Sequence, residues 1–197
     1  MYMVKVIIRL VYFRKRKLVR KKSSNVYKHV WIVYDTDDFP ADHIDSVLQF
    51  CDADSNDETT FHAVWSNQCI ELWFLLHFSY MQSDIHREEY WPKLTECLKQ
   101  IGAGEYEKNR KDMYEILHPY MEYAIGNAKR LNASNEGKLP SKAAPGTKVY
   151  ELIEILNRIW QKSSKGKYPW GNLSLICSWI FLCVVWRSQN FYFTLAR

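Results

Sequence analysis

Acidic residues are missing from both ends of this 197-residue chain. Residues 1–34 hold six Lys, four Arg and no Asp or Glu, a local charge of +10. Residues 155–197 hold six bases and again no acid, giving +6. All 22 acids fall in residues 35–154 against 11 bases, so the middle carries −11 and the whole +5. That asymmetry excludes an evenly mixed surface. It points to anionic partners such as nucleic acid or a membrane surface, or to ends with a different history from the middle. Paired cysteines are missing as well. Cys51, Cys69, Cys97, Cys177 and Cys183 are odd in number and contain no C-x-x-C pair, and no His accompanies them at zinc spacing. A disulfide framework and a zinc site are thereby excluded, and without a secretory leader pattern the expected setting is the reducing cytoplasm. No apolar run is long enough for a membrane span. Leu173 to Trp186 gives 14 residues without charge, below the floor of about 17. It reads as a buried strand or helix, or as an exposed adhesive tail.

What is present is an aromatic-rich chain, large enough to bury a core, organised around Val30-Trp31-Ile32-Val33-Tyr34-Asp35-Thr36-Asp37-Asp38-Phe39-Pro40. The apolar block does not alternate, which predicts a strand buried on both faces of a helix-covered sheet. Side chains at the carboxyl end of such a strand emerge where open α/β sheets bind ligands. Asp35 and Asp37 are two apart, and in extended backbone they would share a side. Carboxylates that close repel unless one is protonated or a cation lies between them. Oxygen-only ligands suit Mg²⁺ or Mn²⁺, with Asp38 beside them. Asp-rich turns also end strands for a purely local reason, because Asp bonds its own backbone.

In chain order, Met3 to Phe13 is β-branched and predicts a strand. Residues 14–22 follow with seven bases in nine positions, Arg14, Lys15, Arg16 and Lys17 leading. They read as a phosphate-contacting patch or as a solvated arm. Ala41 to Phe50 predicts a short helix, Cys51 to Thr60 a loop, and Phe61 to Trp65 a second strand. Ser66-Asn67 has helix-cap chemistry, opening a helix over Gln68–Phe78 that is apolar on every side and so buried. Glu71 lies in its first turn, where the helix dipole favours a negative charge. A buried carboxylate must be paired, protonated or metal-bound, so Glu71 is the third acid for the Asp35/Asp37 cluster, or else a structural ion-pair member. His77, near the far end, reads as a packed, hydrogen-bonded residue. Arg87 to Ile101 carries a core stripe of Tyr90, Trp91, Leu94, Leu98 and Ile101, with Pro92 suited to a first turn and Gly102 to Gly104 closing it. Lys111 to Leu131 is helical with a break at Pro119. Lys108 is free to contact a phosphate or simply to face solvent. Asn132 to Gly146 is a polar loop, and Thr147 to Trp160 a further helix. The chain divides into a basic N-terminal strand and arm (1–29), an α/β domain with a helical C-terminal part (30–162), and an apolar basic tail (163–197).

Asp35-Thr-Asp-Asp-Phe-Pro followed by Ser66-Asn67-Gln-Cys-Ile-Glu71-Leu-Trp73-Phe-Leu-Leu-His77-Phe78 resembles the RloB-like family. Tyr106-Glu107-Lys108 and Pro145-Gly146-Thr147 fall where that family carries its Y-x-K and N-P-S-T motifs, and the likeness covers about residues 30–160. The resemblance implies a TOPRIM-like central sheet flanked by helices, and a Mg²⁺-dependent phosphodiester-cleaving role in anti-phage defence or beside restriction and abortive-infection systems. It implies DNA or RNA as partner and a companion ATPase, and it leaves self-association open. Asp35 and Asp37 stand for the D-x-D metal pair, with Glu71 or Asp37 in the catalytic role. Ser66, Asn67 and Lys108 fall near the phosphates, and His77, Tyr106 and Thr147 are further motif positions.

Departures accompany the likeness. Gln68 stands where the family usually has Pro, and Ala144 where it has the Asn of N-P-S-T. The family's first strand carries an E-G-x-x-T-E motif whose glutamate is expected to move a proton, yet nothing before Asp35 here is acidic. The chain therefore resembles a member without its first catalytic element, as if the coding region had been cut or shifted. A non-catalytic subunit that senses nucleic acid or nucleotide, or binds a partner, is the competing expectation. For the arm, each base of residues 14–22 that meets a phosphate should, once neutralised, flatten the slope of log K against log salt by about 0.9 on duplex DNA. An unchanged affinity and slope after removing those charges would leave a solvated tail.

Overall fold

A computed structural model describes residues 2–6, 28–108, 110–163 and 192–195. The basic run 14–22, the rest of the predicted first strand and the uncharged stretch 173–186 lie outside them. The architecture is mixed α/β. Strand β2 (His29–Asp35) pairs in parallel with β1 (Tyr2–Val6) on one side and with β3 (Thr60–Ser66) on the other. Strand β4 (Tyr192–Leu195) adds antiparallel to β1, giving the order β3-β2-β1-β4.

The unalternating apolar block forms the expected doubly covered strand, with Val30 to Tyr34 all buried. Its odd face, Trp31 and Val33, joins Val64 in a core with helices α2 (Glu71–Leu75), α3 (Arg87–Gln100), α4 (Met113–Leu117), α5 (Met121–Ser134) and α6 (Val149–Ser163). Its even face, Val30, Ile32 and Tyr34, packs with Phe61 and Trp65 under Ile44, Val47 and Cys51 of α1 (Ala41–Asp54). Helices thus cover both faces of the sheet around β2. Among the described residues no helix is long and apolar enough to cross a membrane.

Several boundaries differ from expectation. Helix α1 runs on to Asp54 through the first part of the predicted loop, because Cys51 is a core position on its inner face. The helix expected over Gln68–Phe78 shrinks to Glu71–Leu75 with a turn through Phe78. Its burial is as expected, with Leu72 through His77 at most 1% exposed. Ser66 and Asn67 do not cap it; Ser66 closes β3, and Ile70 precedes the helix without a side-chain cap. Helix α3 begins at Arg87 behind His86, so Pro92 lies in its second turn rather than its first. Trp91 and Ile101 leave the predicted stripe, 44% and 40% exposed, while Tyr90, Leu94 and Leu98 are buried. The break at Pro119 is present, as a single 3-10 turn over His118–Tyr120 between α4 and α5.

The strand ends are held from outside the sheet. Thr147 is fully buried and bridges to Ser66. Its hydroxyl donates to the Trp65 carbonyl (3.2 Å), lies 2.7 Å from Ser66 Oγ, and accepts from Val149 N–H at the start of α6 (3.3 Å). Gly146 accepts from Asn67 N–H through its carbonyl and packs under the Trp65 ring. A Cβ there would stand 2.5 Å from the Ala143 carbonyl oxygen and 2.9 Å from the ring. Gly146→Ala should therefore cost about 1–3 kcal/mol through overpacking, read as a lower urea midpoint with unchanged m. An unchanged midpoint would show that the 143–146 turn yields freely.

Candidate functional site

The carboxyl ends of β2 and β3 lie side by side, with Asp35 in register opposite Ser66. Three acids converge there from two routes. Asp35 is the last residue of β2, and Glu71 is the first residue of the buried α2, which the turn after β3 delivers to the same edge. Asp37 arrives differently from the expectation. The strand stops at Asp35, and Asp37 has φ 41°, a left-handed conformation that Asp tolerates better than most residues. Its N–H donates to the Gln68 carbonyl (2.7 Å), while Thr36 N–H donates to the Ser66 carbonyl (3.1 Å). The two aspartates meet through a turn, not along extended backbone.

The acids act on one another electrostatically. Burial lifts the Asp35 carboxyl well above its ordinary range, and the charges of Glu71 and then Asp37 lift it further. Lys108 and the Ile70 N–H offset only part of this. Glu71 is 2% exposed and accepts two hydrogen bonds on Oε1, from Tyr106 Oη (2.8 Å) and Trp91 Nε1 (3.3 Å). Burial and the neighbouring Glu71 push the Tyr106 phenol upward, which keeps its proton in place as the donor. The Cys69 thiol is raised for the same reasons. Lys108 is exposed and stands over the Trp91 ring, 5.4 Å from its centre, at the rim.

Asp37 and Asp38 share one counter-ion that sequence reasoning missed. Arg87 reaches Asp37 Oδ1 with one guanidinium nitrogen (2.7 Å) and Asp38 Oδ2 with the other (2.9 Å). Gln68 fastens this corner, its side-chain oxygen accepting from Arg87 N–H (2.6 Å) and its carbonyl from Asp37. Burial opposes the charge on Arg87, but the Asp37 hydrogen bond and the two aspartates more than compensate and raise its pKa. One signal was available. Arg87 opens a helix ahead of Glu88 and Glu89, at the end where the helix dipole disfavours a cation, so its reason for being there lies elsewhere.

The other expected positions fall inside or outside this group. Ser66 and Thr147 are buried and bonded to each other. Asn67 adjoins the site through its backbone, its carbonyl accepting from Tyr90 Oη (3.4 Å), while its side-chain oxygen is buried without a hydrogen-bond partner. His77 is packed away from the acids, Nδ1 on the Trp73 carbonyl (2.9 Å), and burial pushes its pKa down to about 4. Arg14, Lys15, Arg16 and Lys17 lie outside the described residues.

Among the described residues no three His, Cys, Asp or Glu side chains are grouped so as to hold a metal ion. Asp35 and Glu71 present oxygen only, and their mutual repulsion is what a divalent ion relieves. The buried hydroxyl of Thr36, the residue between Asp35 and Asp37 in sequence, has no hydrogen-bond partner. Asp37 and Asp38 are engaged by Arg87 and would join only on leaving it.

A family model described as RloB-like protein matches residues 3–156. No curated protein and no solved structure matches the chain.

The raised Asp35 carboxyl has a consequence for stability. Its folded form holds a proton more tightly than the unfolded chain, so stability falls as pH rises from the unfolded value near 3.8 through the higher folded one. Below the unfolded value the penalty vanishes. Asp35→Asn should therefore flatten the pH dependence above that point and raise the melting temperature at pH 7. A variant less stable than wild type at neutral pH would show that the Asp35 charge is compensated.

Proposed function

Because the chain belongs to the RloB-like family, we propose that it is a metal-dependent, phosphodiester-cleaving protein of nuclease type, serving anti-phage defence or a restriction-associated system. The observation that carries the reading is Asp35. Asp35 ends the central strand opposite Ser66, with Glu71 opening the buried helix at the same edge, and the repulsion among Asp35, Glu71 and Asp37 is what a bound cation would relieve. The three parallel strands with that acid at the end of β2 also favour a TOPRIM-like sheet.

Asp35 and Glu71 would hold Mg²⁺ or Mn²⁺, with Asp37 as a further ligand. Such an ion supplies Lewis-acid polarisation of a phosphate and charge neutralisation as the bond breaks. Tyr106 and Trp91 orient Glu71 by donating to Oε1. Lys108, exposed over the Trp91 ring, would meet a phosphate of DNA or RNA. What the cluster does not contain is an evident group to move a proton, a contribution typically worth 10²–10⁴-fold. Residues 1–34 hold no carboxylate, and His29 stands at the far end of β2 from Asp35. Cleavage by this chain alone should accordingly be slow, with a companion ATPase as a further partner.

A second reading, a non-catalytic subunit that binds nucleic acid or nucleotide with the same acids, is favoured by one observation: Arg87 already pairs with both Asp37 and Asp38. The test addresses both. Mn²⁺ should raise the melting temperature of the wild type, and Asp35→Asn should abolish that shift. Slow, Mn²⁺-dependent cleavage of an oligonucleotide that disappears with Asp35→Asn supports the enzyme, and metal-dependent binding without cleavage supports the subunit. Identical Mn²⁺ shifts in wild type and variant would remove the metal site altogether.

A further inference from the structure

We propose that Arg87 is a movable counter-ion: it bridges Asp37 and Asp38 in the free protein and transfers to a phosphodiester of bound nucleic acid, which releases Asp37 to the cation. The proposal rests on the metal reading above and adds a phosphate-binding residue with a coupling between two ligands.

Four observations support it. First, a guanidinium fork matches carboxylate and phosphate equally, so either partner satisfies it. Arg87 here spans two different side chains, with one nitrogen on each aspartate, so it gives up no single bidentate carboxylate on leaving. Second, the side chains of Arg87, Asp37 and Asp38 are 30%, 21% and 62% exposed, so the bridge opens to solvent on its Asp38 side, where a phosphate could reach it. The Asp38 arm is the exposed one, and ion pairs open to solvent contribute little to stability, so a phosphate can compete for the arginine. Third, the backbone of Arg87 is anchored independently of its head group, through Gln68 Oε1. The side chain can therefore swing without moving α3. Fourth, Asp37 sits on a left-handed turn pinned by its own N–H to Gln68, so its carboxylate is presented whether or not Arg87 holds it.

The charge balance gives the direction of the coupling. With Arg87 in place, Asp37 is partly compensated and attracts a cation less strongly. With Arg87 on a phosphate, Asp37 faces Asp35 and Glu71 uncompensated, and affinity for a divalent ion rises. By linkage the ion must tighten nucleic-acid binding by the same factor.

The test is titration of Mn²⁺ into the full chain, with and without a phosphorothioate oligonucleotide that resists cleavage. Arg87→Gln should bind Mn²⁺ more tightly than wild type without oligonucleotide, by roughly fivefold or more. In the wild type, oligonucleotide should tighten Mn²⁺ binding and Mn²⁺ should tighten oligonucleotide binding equally, and Arg87→Gln should lose that mutual enhancement. If Arg87→Gln does not fold, Arg87→Lys decides, since it keeps the charge and loses the two-pronged grip: tighter Mn²⁺ binding than wild type supports the transfer. Mn²⁺ affinity unchanged or weakened by the substitution, or an enhancement that survives it, would make Arg87 a structural ion pair and overturn the proposal. Asp35→Asn separates the two levels. If it abolishes Mn²⁺ binding while the Arg87 variants behave as wild type, the metal site stands and the transfer falls; if it changes nothing, the metal site falls first and the transfer with it.

Discussion

A carboxylate taken out of water must be compensated, and the position of Asp35 makes that requirement the organising constraint of this molecule. Strand β2 is buried on both faces from Val30 to Tyr34, so the first polar side chain beyond it emerges where little solvent reaches. Placing Glu71 beside it adds a second charge that the interior does not welcome. Removing one such charge from water costs several kcal/mol even after relaxation. The surrounding donors have the character this situation calls for: Tyr106 and Trp91 give Glu71 two hydrogen bonds, and Lys108 and the Ile70 N–H lower the penalty at Asp35. They reduce the cost without removing it.

Much of the surrounding structure serves to hold these acids still. Helix α2 has only five residues, too few to stand on intrinsic helical propensity. It persists because Leu72, Trp73, Phe74, Leu75 and Leu76 are all buried in the core shared with α3, α5 and α6. Glu71 is therefore positioned by packing and not by a cap. The buried amide of Asn127 adds a tie, donating to the Leu76 carbonyl just past the helix (2.9 Å). At the β3 end, Thr147 and Gly146 perform the same task for the neighbouring strand, fixing Ser66 and Asn67 through backbone and hydroxyl bonds.

Local pattern makes the covered strand, its partner β3, the buried helix and the break at Pro119 legible in the sequence, because each depends on residues close along the chain. Glu71 is readable for the same reason, as an acid inside an otherwise apolar turn. Arg87 is not, since its partners lie 50 and 49 residues away and nothing local sets that pairing. Trp91 misleads in a different way. Its spacing fits the stripe of Tyr90, Leu94 and Leu98, yet its indole N–H turns to Glu71 and much of its side chain stays exposed. Periodicity sees hydrophobic faces, not the demand of a buried carboxylate for a donor. Extended backbone through Asp37 fails as an expectation because the chain must turn to bring Asp37 N–H onto Gln68, and alternation ends where the strand does.

The two halves of the acidic cluster differ in kind, and salt separates them. Arg87 with Asp37 and Asp38 is partly exposed, so mobile ions screen it over a Debye length of about 8 Å at physiological ionic strength. Glu71 is enclosed and Asp35 half-buried beside it, where screening is weaker. Raising the salt therefore loosens the arginine bridge while leaving the repulsion between Asp35 and Glu71 less affected. The same salt also weakens every phosphate contact a basic protein makes. On the proposed transfer, a nucleic acid would displace a weaker bridge with a weaker grip, and the two effects would partly cancel at Arg87. They do not cancel for bases that have no carboxylate to leave, so salt dependence at this corner should be shallower than charge counting alone implies. A fixed arginine with no carboxylates to exchange would lack that buffering.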